Sequence, residues 1–335
     1  MGHRVAVAGA TGNLGREVIR TLSERAFPAD RVVALASGRA VGSQVSYGED
    51  AVLTAASQEK HDWSGTDLLF VAPGATAPAA LATRAARAGV LVVDLTGASG
   101  APPIVPEVNP EALSRAMESG RILSSPGPAA TLLTLVAKPL HDLFGATRAV
   151  VTGHIPTSEA GKEAMDELFS QTRAFYVNDP FPPEHLPKPI AFNLYPGVGG
   201  PEDDGSTDEE LRLVEEVAGL LGLPVTATLV RVPVFIGATL AVHLTFEREV
   251  DEDAAREALR DAPGLAVLDR REEGGYVSAA ESAGEDLVYV SRLRRDPTVS
   301  NGLALWIAGD NLRKGGALNA VQVAEEAHQH DLIGV

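Results

Sequence analysis

The chain has 335 residues, 45% of them hydrophobic and 22% charged, with a formal net charge of −17. That length suits two domains, each with its own core. Scattered acidic residues of this number repel nucleic-acid phosphates and anionic membranes, and no apolar run approaches the ~20 residues of a membrane span. The absence of cysteine excludes disulfides and every form of thiolate chemistry.

Met1 is followed by Gly-His-Arg and then directly by a strand pattern. No signal peptide is expected, and the sequence reads as cytoplasmic. Arg4–Ala8 is a short, fully apolar run, as in the buried centre of a parallel sheet. Leu14–Ser23 has helical spacing, with Leu14, Val18 and Leu22 on one face. Arg31–Ala36, Leu68–Ala72 and Val90–Asp94 read as further strands, and Ala77–Ala88 as an alanine-rich helix. This alternation predicts an α/β domain with a Rossmann-like parallel sheet. Ala129–Phe144 reads as a long apolar helix after a Gly-Pro start, a position where the missing proline N–H is harmless.

From about Thr147 the pattern changes. Thr147–Gly153, Thr226–Pro233, Leu240–Glu247 and Asp286–Leu293 predict a mainly antiparallel sheet in an α+β domain. A helix is expected near Gly161–Ala174, then a proline-rich loop over Asp179–Pro189. Asp208–Leu221 is another helix, with Thr207 as its cap and Glu210 at capping-box spacing. Asn311–Glu326 returns as a helix. The expected division is a dinucleotide-binding domain over residues 1–128, completed by a C-terminal helix at 311–328, and an α+β dimerisation or substrate domain over 129–310.

Gly9, Gly12 and Gly15 fall between the first strand and the first helix. Glycines there let the backbone of Thr11, Asn13 and Leu14 approach a diphosphate, whose charge the helix N-terminus favours. The trio is spaced Gly-x-x-Gly-x-x-Gly, and a tight turn is the alternative reading. After the second strand the chain reads Ser37-Gly38-Arg39, where an NAD site usually carries an acid. A hydroxyl and a guanidinium suit a ribose 2′-phosphate, which points to NADP; the plain alternative is a solvated surface arginine.

Several ordered segments resemble the aspartate-semialdehyde dehydrogenases of amino-acid biosynthesis. They are Ala8-Gly-Ala-Thr-Gly-Asn-Leu-Gly15, Val105-Pro-Glu-Val-Asn109, Met165-Asp-Glu-Leu-Phe-Ser-Gln-Thr-Arg173, Ile190-Ala-Phe-Asn193, Arg231-Val-Pro-Val234 and Asp310-Asn-Leu-Arg-Lys-Gly315. The resemblance implies an NADP-dependent scaffold, a homodimer formed through the sheet face of the middle domain, and further cofactor contacts at Asn311 and Gln322. It also implies a cysteine nucleophile and a histidine base. This chain departs from it at each point. Pro128 stands at the cysteine position, Ala238 at the histidine, and Ile155 at a substrate-orienting glutamine. The run Leu95-Thr-Gly-Ala-Ser-Gly-Ala101 lacks a phosphate-binding arginine. Ser124 and Ser125 precede the nucleophile position without an evident base.

Arg231 matches the arginine that grips the substrate carboxylate, Arg212 a phosphate-binding lysine, and Glu209 lies beside it on the same helix. Arg231 equally reads as an ion-pair partner at a strand end. No catalytic residue of the family is retained, and His154 is the one weak candidate for an acid or base. The histidines show no metal spacing, and no metal is expected. The sequence therefore resembles the Usg-type homologues that keep the scaffold without the cysteine. Its expected function is a non-catalytic, NADP-binding dimer with a regulatory or binding role and a possible small carboxylate ligand. The alternative is an NADP-dependent oxidoreductase that reduces a carboxylate-bearing carbonyl without a thioester, with His154 or Glu159 as proton donor.

Overall fold

The computed structural model describes residues 2–179 and 181–334. Met1, and Pro180 of the predicted proline-rich loop, lie outside the described residues. The chain divides into two compact units, Met1–Gly127 with Gly316–Val335, and Pro128–Gly315.

The first unit begins with β1 (His3–Ala8), α1 (Asn13–Glu24), β2 (Ala29–Ala36), β3 (Gln44–Tyr47), β4 (Ala51–Thr54) and β5 (Ala56–Ser57). It continues through β6 (Leu68–Val71), α2 (Pro78–Arg87), β7 (Leu91–Asp94), α3 (Ala112–Ser119) and β8 (Ile122–Ser124). Six strands form a parallel sheet in the order β5-β2-β1-β6-β7-β8. The strand order reverses between β1 and β6, where sheets of this class hold ligands beyond their carboxyl ends. Val5 through Ala8 are all buried because β1 has a strand on each side and covered faces. Helix α1 buries Val18, Ile19 and Leu22 against that sheet's core. The small β3–β4 hairpin has no counterpart in the sequence expectations.

The second unit opens with α4 (Pro128–Phe144) and β9 (Ala146–Ile155). There follow α5 (Lys162–Val177), β10 (Tyr195–Pro196), α6 (Asp208–Leu221), β11 (Val225–Arg231), β12 (Ala238–Phe246) and α7 (Glu252–Asp261). The unit closes with β13 (Leu265–Val267), α8 (Ala279–Ser282), β14 (Val288–Arg295) and β15 (Gly302–Gly309). Its sheet runs β10-β11-β9-β12-β15-β14-β13. The sheet is mixed: β9–β11 and β13–β14 pair in parallel, and the other four pairs are antiparallel. Helix α4 packs against the sheet and against α6 and α7, so it is apolar nearly all round.

Thr207 caps α6 as expected. Its hydroxyl accepts from Glu210 N at 3.3 Å, and Glu210 Oε2 accepts from Thr207 N at 3.0 Å. The remaining Glu210 oxygen accepts from Leu229 N on β11 at 2.8 Å. One carboxylate thus ties the start of α6 to the neighbouring strand.

Two expectations need correction. Strand β15 was not expected, although it is hydrogen-bonded on both sides and nearly all buried. Its unbroken apolar run has no alternation to mark it, which is the signature of a strand covered on both faces. The final helix does not start at Asn311. The chain makes a wide π-helical turn over Arg313–Ala317, and the α-helix α9 spans Leu318–Gln329. Asp310 organises that turn by accepting from Leu312 N and Arg313 N at 2.7 and 3.0 Å.

Candidate functional site

The glycine loop of the first unit has the shape a diphosphate requires. Gly9 has φ +74°, and a Cβ there would meet the Ala72 carbonyl at 2.7 Å. A Cβ on Gly15 would lie 2.2 Å from the Gly9 carbonyl, so only glycine lets α1 sit this close to the turn. Gly12 is different. Its nearest neighbour would be the Pro73 carbonyl at 3.3 Å, and it forms the N-cap of α1 without any side-chain cap. No acidic side chain occupies the first turn. These are the roles of the three glycines in a dinucleotide loop: the turn, the bare backbone facing phosphate, and the close packing of helix on strand. The residues present fit a dinucleotide.

Around the loop, Thr11 offers its carbonyl to Arg16 Nε at 3.0 Å, and Leu14 packs on the core. Asn13 opens α1. Ala10 N donates to Leu35 O at 3.1 Å, which holds the loop beside the end of β2. Ser37 follows β2 and is half-buried, and Arg39 is exposed, with no ion pair among the described residues. On α9, Gln322 donates to Glu107 Oε1 at 3.1 Å.

Asn311 belongs to the second unit and is buried. Its Oδ1 accepts from Gly237 N at 3.0 Å and from the Ser158 hydroxyl at 3.3 Å, while its Nδ2 donates to Ser158 Oγ at 3.0 Å. It therefore ties the loop before β12 to the one-turn helix at Thr157–Ala160. Thr157 N and Ser158 N complete the tie by donating to Val234 O and Phe235 O at 2.9 and 3.0 Å.

The second unit also gathers charged groups. Arg231 ends β11, directly opposite Tyr195 of β10, and is buried. Its Nη1 donates to Pro156 O at 2.5 Å. Arg212 on α6 donates from Nε to Glu216 Oε1 at 2.8 Å. Arg231, Glu209, Arg212 and Glu216 all act electrostatically on the Glu159 carboxyl, which burial lifts to about 7 against the pull of Arg231. Burial also raises the Tyr195 hydroxyl, with Arg231 opposing. Arg212 is raised: burial weakens its charge, but Glu216 and Glu209 more than compensate.

Tyr195 and Glu216 belong to this cluster together with Arg231, Arg212, Glu209 and Glu159, all four named from the sequence. The spacing of four residues between Arg212 and Glu216 was a legible signal for one of them. Tyr195 had none, because its two-residue strand leaves no pattern.

His154 lies outside this set of interactions. Its ring rests against Trp306, with centroids 5.3 Å apart, and burial lowers its pKa. Burial thus favours the uncharged ring over the imidazolium, the stronger acid. The positions that the sequence resemblance aligns with the family's base, glutamine and nucleophile carry apolar residues in the structure. Ala238 and Ile155 are both fully buried members of the second unit's hydrophobic core, and Pro128 begins α4. Among the described residues, no helix is long and apolar enough to cross a membrane, and no group of three acidic or histidine side chains could hold a metal.

Residues 4–116 match the family described as semialdehyde dehydrogenase, NAD binding domain, and residues 137–314 match semialdehyde dehydrogenase, dimerisation domain. The chain is 39% identical over 330 residues to the aspartate-semialdehyde dehydrogenase of Rickettsia bellii, covering 97% of each chain. Among solved structures it is similar to aspartate semialdehyde dehydrogenase II of Vibrio cholerae complexed with ASA, with a TM-score of 0.93 and 33% identity over 98% of this chain and 99% of that one. A probable aspartate-semialdehyde dehydrogenase from Pseudomonas aeruginosa gives the same TM-score at 34% identity, covering 99% of this chain and 100% of that one. Two matched domains and near-complete coverage leave one conclusion: the chain belongs to the aspartate-semialdehyde dehydrogenase family.

Proposed function

We propose that this protein is a Usg-type member of the family: a homodimeric pseudoenzyme that binds NADP(H) and a small carboxylate and carries out no thioester chemistry. One observation carries the reading. A chain without cysteine holds proline at the nucleophile position, and alanine and isoleucine at the base and glutamine positions are sealed in an apolar core. Polar reagents restored there would have to be buried in hydrocarbon, at a penalty of about 2 kcal/mol or more each.

Gly9, Gly12 and Gly15 support the dinucleotide, with Thr11, Asn13 and Leu14 lining it. Ser37 and Arg39 suit the 2′-phosphate of NADP; Asn311 and Gln322 are further contacts only as the family resemblance implies. Arg231, Arg212 and Glu209 suit a small ligand that bears a carboxylate. The matched dimerisation domain supports the homodimer. Calorimetric titration with NADPH and NADH, beside an assay with aspartate semialdehyde, NADP and phosphate, tests the reading. NADPH binding without turnover is expected. Turnover at the rate of an ordinary family member would end it.

Glu159 favours a second reading, an NADP-dependent reductase of a carbonyl acid. A carboxyl with a pKa of about 7 still holds a proton at neutral pH and can give it to a forming alkoxide, whereas burial disfavours the protonated ring of His154. NADPH oxidation with an oxo acid, abolished in Glu159→Gln, is the result that would select it.

A further inference from the structure

Three sealed polar atoms without hydrogen-bond partners belong to one cluster of the second unit: Glu159 Oε2, Tyr195 Oη and Arg212 Nη2. Among the described residues only seven buried side-chain atoms lack a partner, so three in one cluster is a concentration. Buried polar atoms are nearly always satisfied, and exceptions mark places where something else binds or a group changes state.

The cluster also has one charge too many. The guanidiniums of Arg231 and Arg212 face three carboxyls, those of Glu159, Glu209 and Glu216. Glu216 is already paired with Arg212 Nε. Glu159 stands on a backbone turn held from several sides. Its one-turn helix is fixed to Val234 and Phe235 by backbone bonds and to Asn311 through Ser158. A carboxyl on this anchored turn, within electrostatic reach of two guanidiniums, resembles a carboxylate ligand supplied by the chain itself.

We propose that Glu159 is an internal competitor for the carboxylate site of Arg231 and Arg212, so that a small carboxylate enters only with uptake of one proton at Glu159. This rests on the reading of Arg231 and Arg212 as a carboxylate site. When ionised, Glu159 neutralises the guanidiniums and repels an incoming anion. When protonated, it no longer offsets their charge, and Arg212 Nη2 and Tyr195 Oη, which have no partner within the cluster, are the donors that a ligand would meet. No atom is transferred except the proton, which comes from solvent. The groups facing Glu159 are Arg231 from β11 and Glu209, Arg212 and Glu216 from α6, with Tyr195 of β10 beside Arg231. The titration of Glu159 near neutrality places the switch in an accessible range.

The test is calorimetric titration of the full chain with succinate, mostly a dianion at both ends of the range and corrected for its own protonation, in two buffers of different ionisation enthalpy. Wild type should bind about tenfold more weakly at about pH 8 than at about pH 6, with close to one proton taken up at the higher pH. Glu159→Gln and Glu159→Gly should both bind without pH dependence or proton uptake, at least as tightly as wild type at the acidic end. Two substitutions guard against one that fails to fold. If all three chains bind succinate with the same affinity at both pH values, Glu159 does not compete, and the carboxylate site stands without this proposal. If neither wild type nor the variants bind succinate at any pH, the carboxylate site itself is wrong and the proposal falls with it.

Discussion

The Asn319 amide of α9 donates to the Ser125 hydroxyl at 2.9 Å and to the Ile104 carbonyl at 3.0 Å, with both side chains buried. Ser125 is the last hydroxyl before the family's nucleophile position, and here it serves as an acceptor in the first unit's interior. It has no histidine partner. Ser125→Ala should lower stability by about 1 kcal/mol in urea denaturation, the usual contribution of one such bond. It should leave NADPH affinity unchanged. A loss of any catalytic turnover in this variant would return Ser125 to candidacy as a nucleophile.

Arg39 is exposed, with no ion pair among the described residues, so its removal perturbs the fold little. Arg39→Ala should weaken NADPH by roughly tenfold or more, the effect of losing a charged hydrogen bond to phosphate, and should leave NADH unaffected. Equal weakening of both nucleotides would show that Arg39 does not read the 2′-phosphate.

Restoring the named residues should fail to restore the reaction. In Pro128→Cys with Ala238→His, an imidazole replaces a fully buried alanine of the hydrophobic core. The double variant should be destabilised by about 2 kcal/mol or more and show no phosphate-dependent oxidation of aspartate semialdehyde. Activity within tenfold of an ordinary family member would mean that the scaffold lost only its reagents. It would also mean that the surrounding core has not closed over them.

Glu159 gives stability a distinctive pH dependence. Its carboxyl is raised from 4.5 to about 7, first by burial, so the native state holds a proton that the unfolded chain releases. That contribution is complete below about pH 4.5 and is lost as pH rises through about 7. Asp296 acts in the opposite direction. Hydrogen bonds from Thr298, with His243 assisting, hold it at about 2 instead of 3.8. Its contribution is present above the higher value and lost as pH falls to the lower. The two windows do not overlap. Thermal melts should therefore show wild type losing stability relative to Glu159→Gln between about pH 5 and about pH 8, and no such trend would contradict the burial of this carboxyl.

What could be read from the sequence was local. The buried run of β1, the cap of α6 at Thr207 and the apolar length of α4 are each fixed by neighbours within a few residues. The edge partner β10 and the unpatterned β15 depend on strands far away in the chain, and neither shows in a window of the sequence. The same division runs through the site. The glycine loop was legible because its constraint is backbone geometry next to a strand and helix. Tyr195 was not, because its relation to Arg231 exists only through strand pairing. The place of Glu159 was just as hidden, since its surroundings come from α6 and β11.

The adjacent glutamates 209 and 210 separate two kinds of selection. Glu210 satisfies both Thr207 N and Leu229 N, so folding alone preserves it. Among the described residues Glu209 makes no such bond to the backbone; it acts through its charge on Arg212 and in the first turn of α6. In a library randomised at both positions and sorted for soluble expression alone, Glu210 should return enriched and Glu209 should drift. If Glu209 is nevertheless held among natural descendants of this chain more strictly than its neighbours in the first turn of α6, that persistence is a record of use by a small molecule.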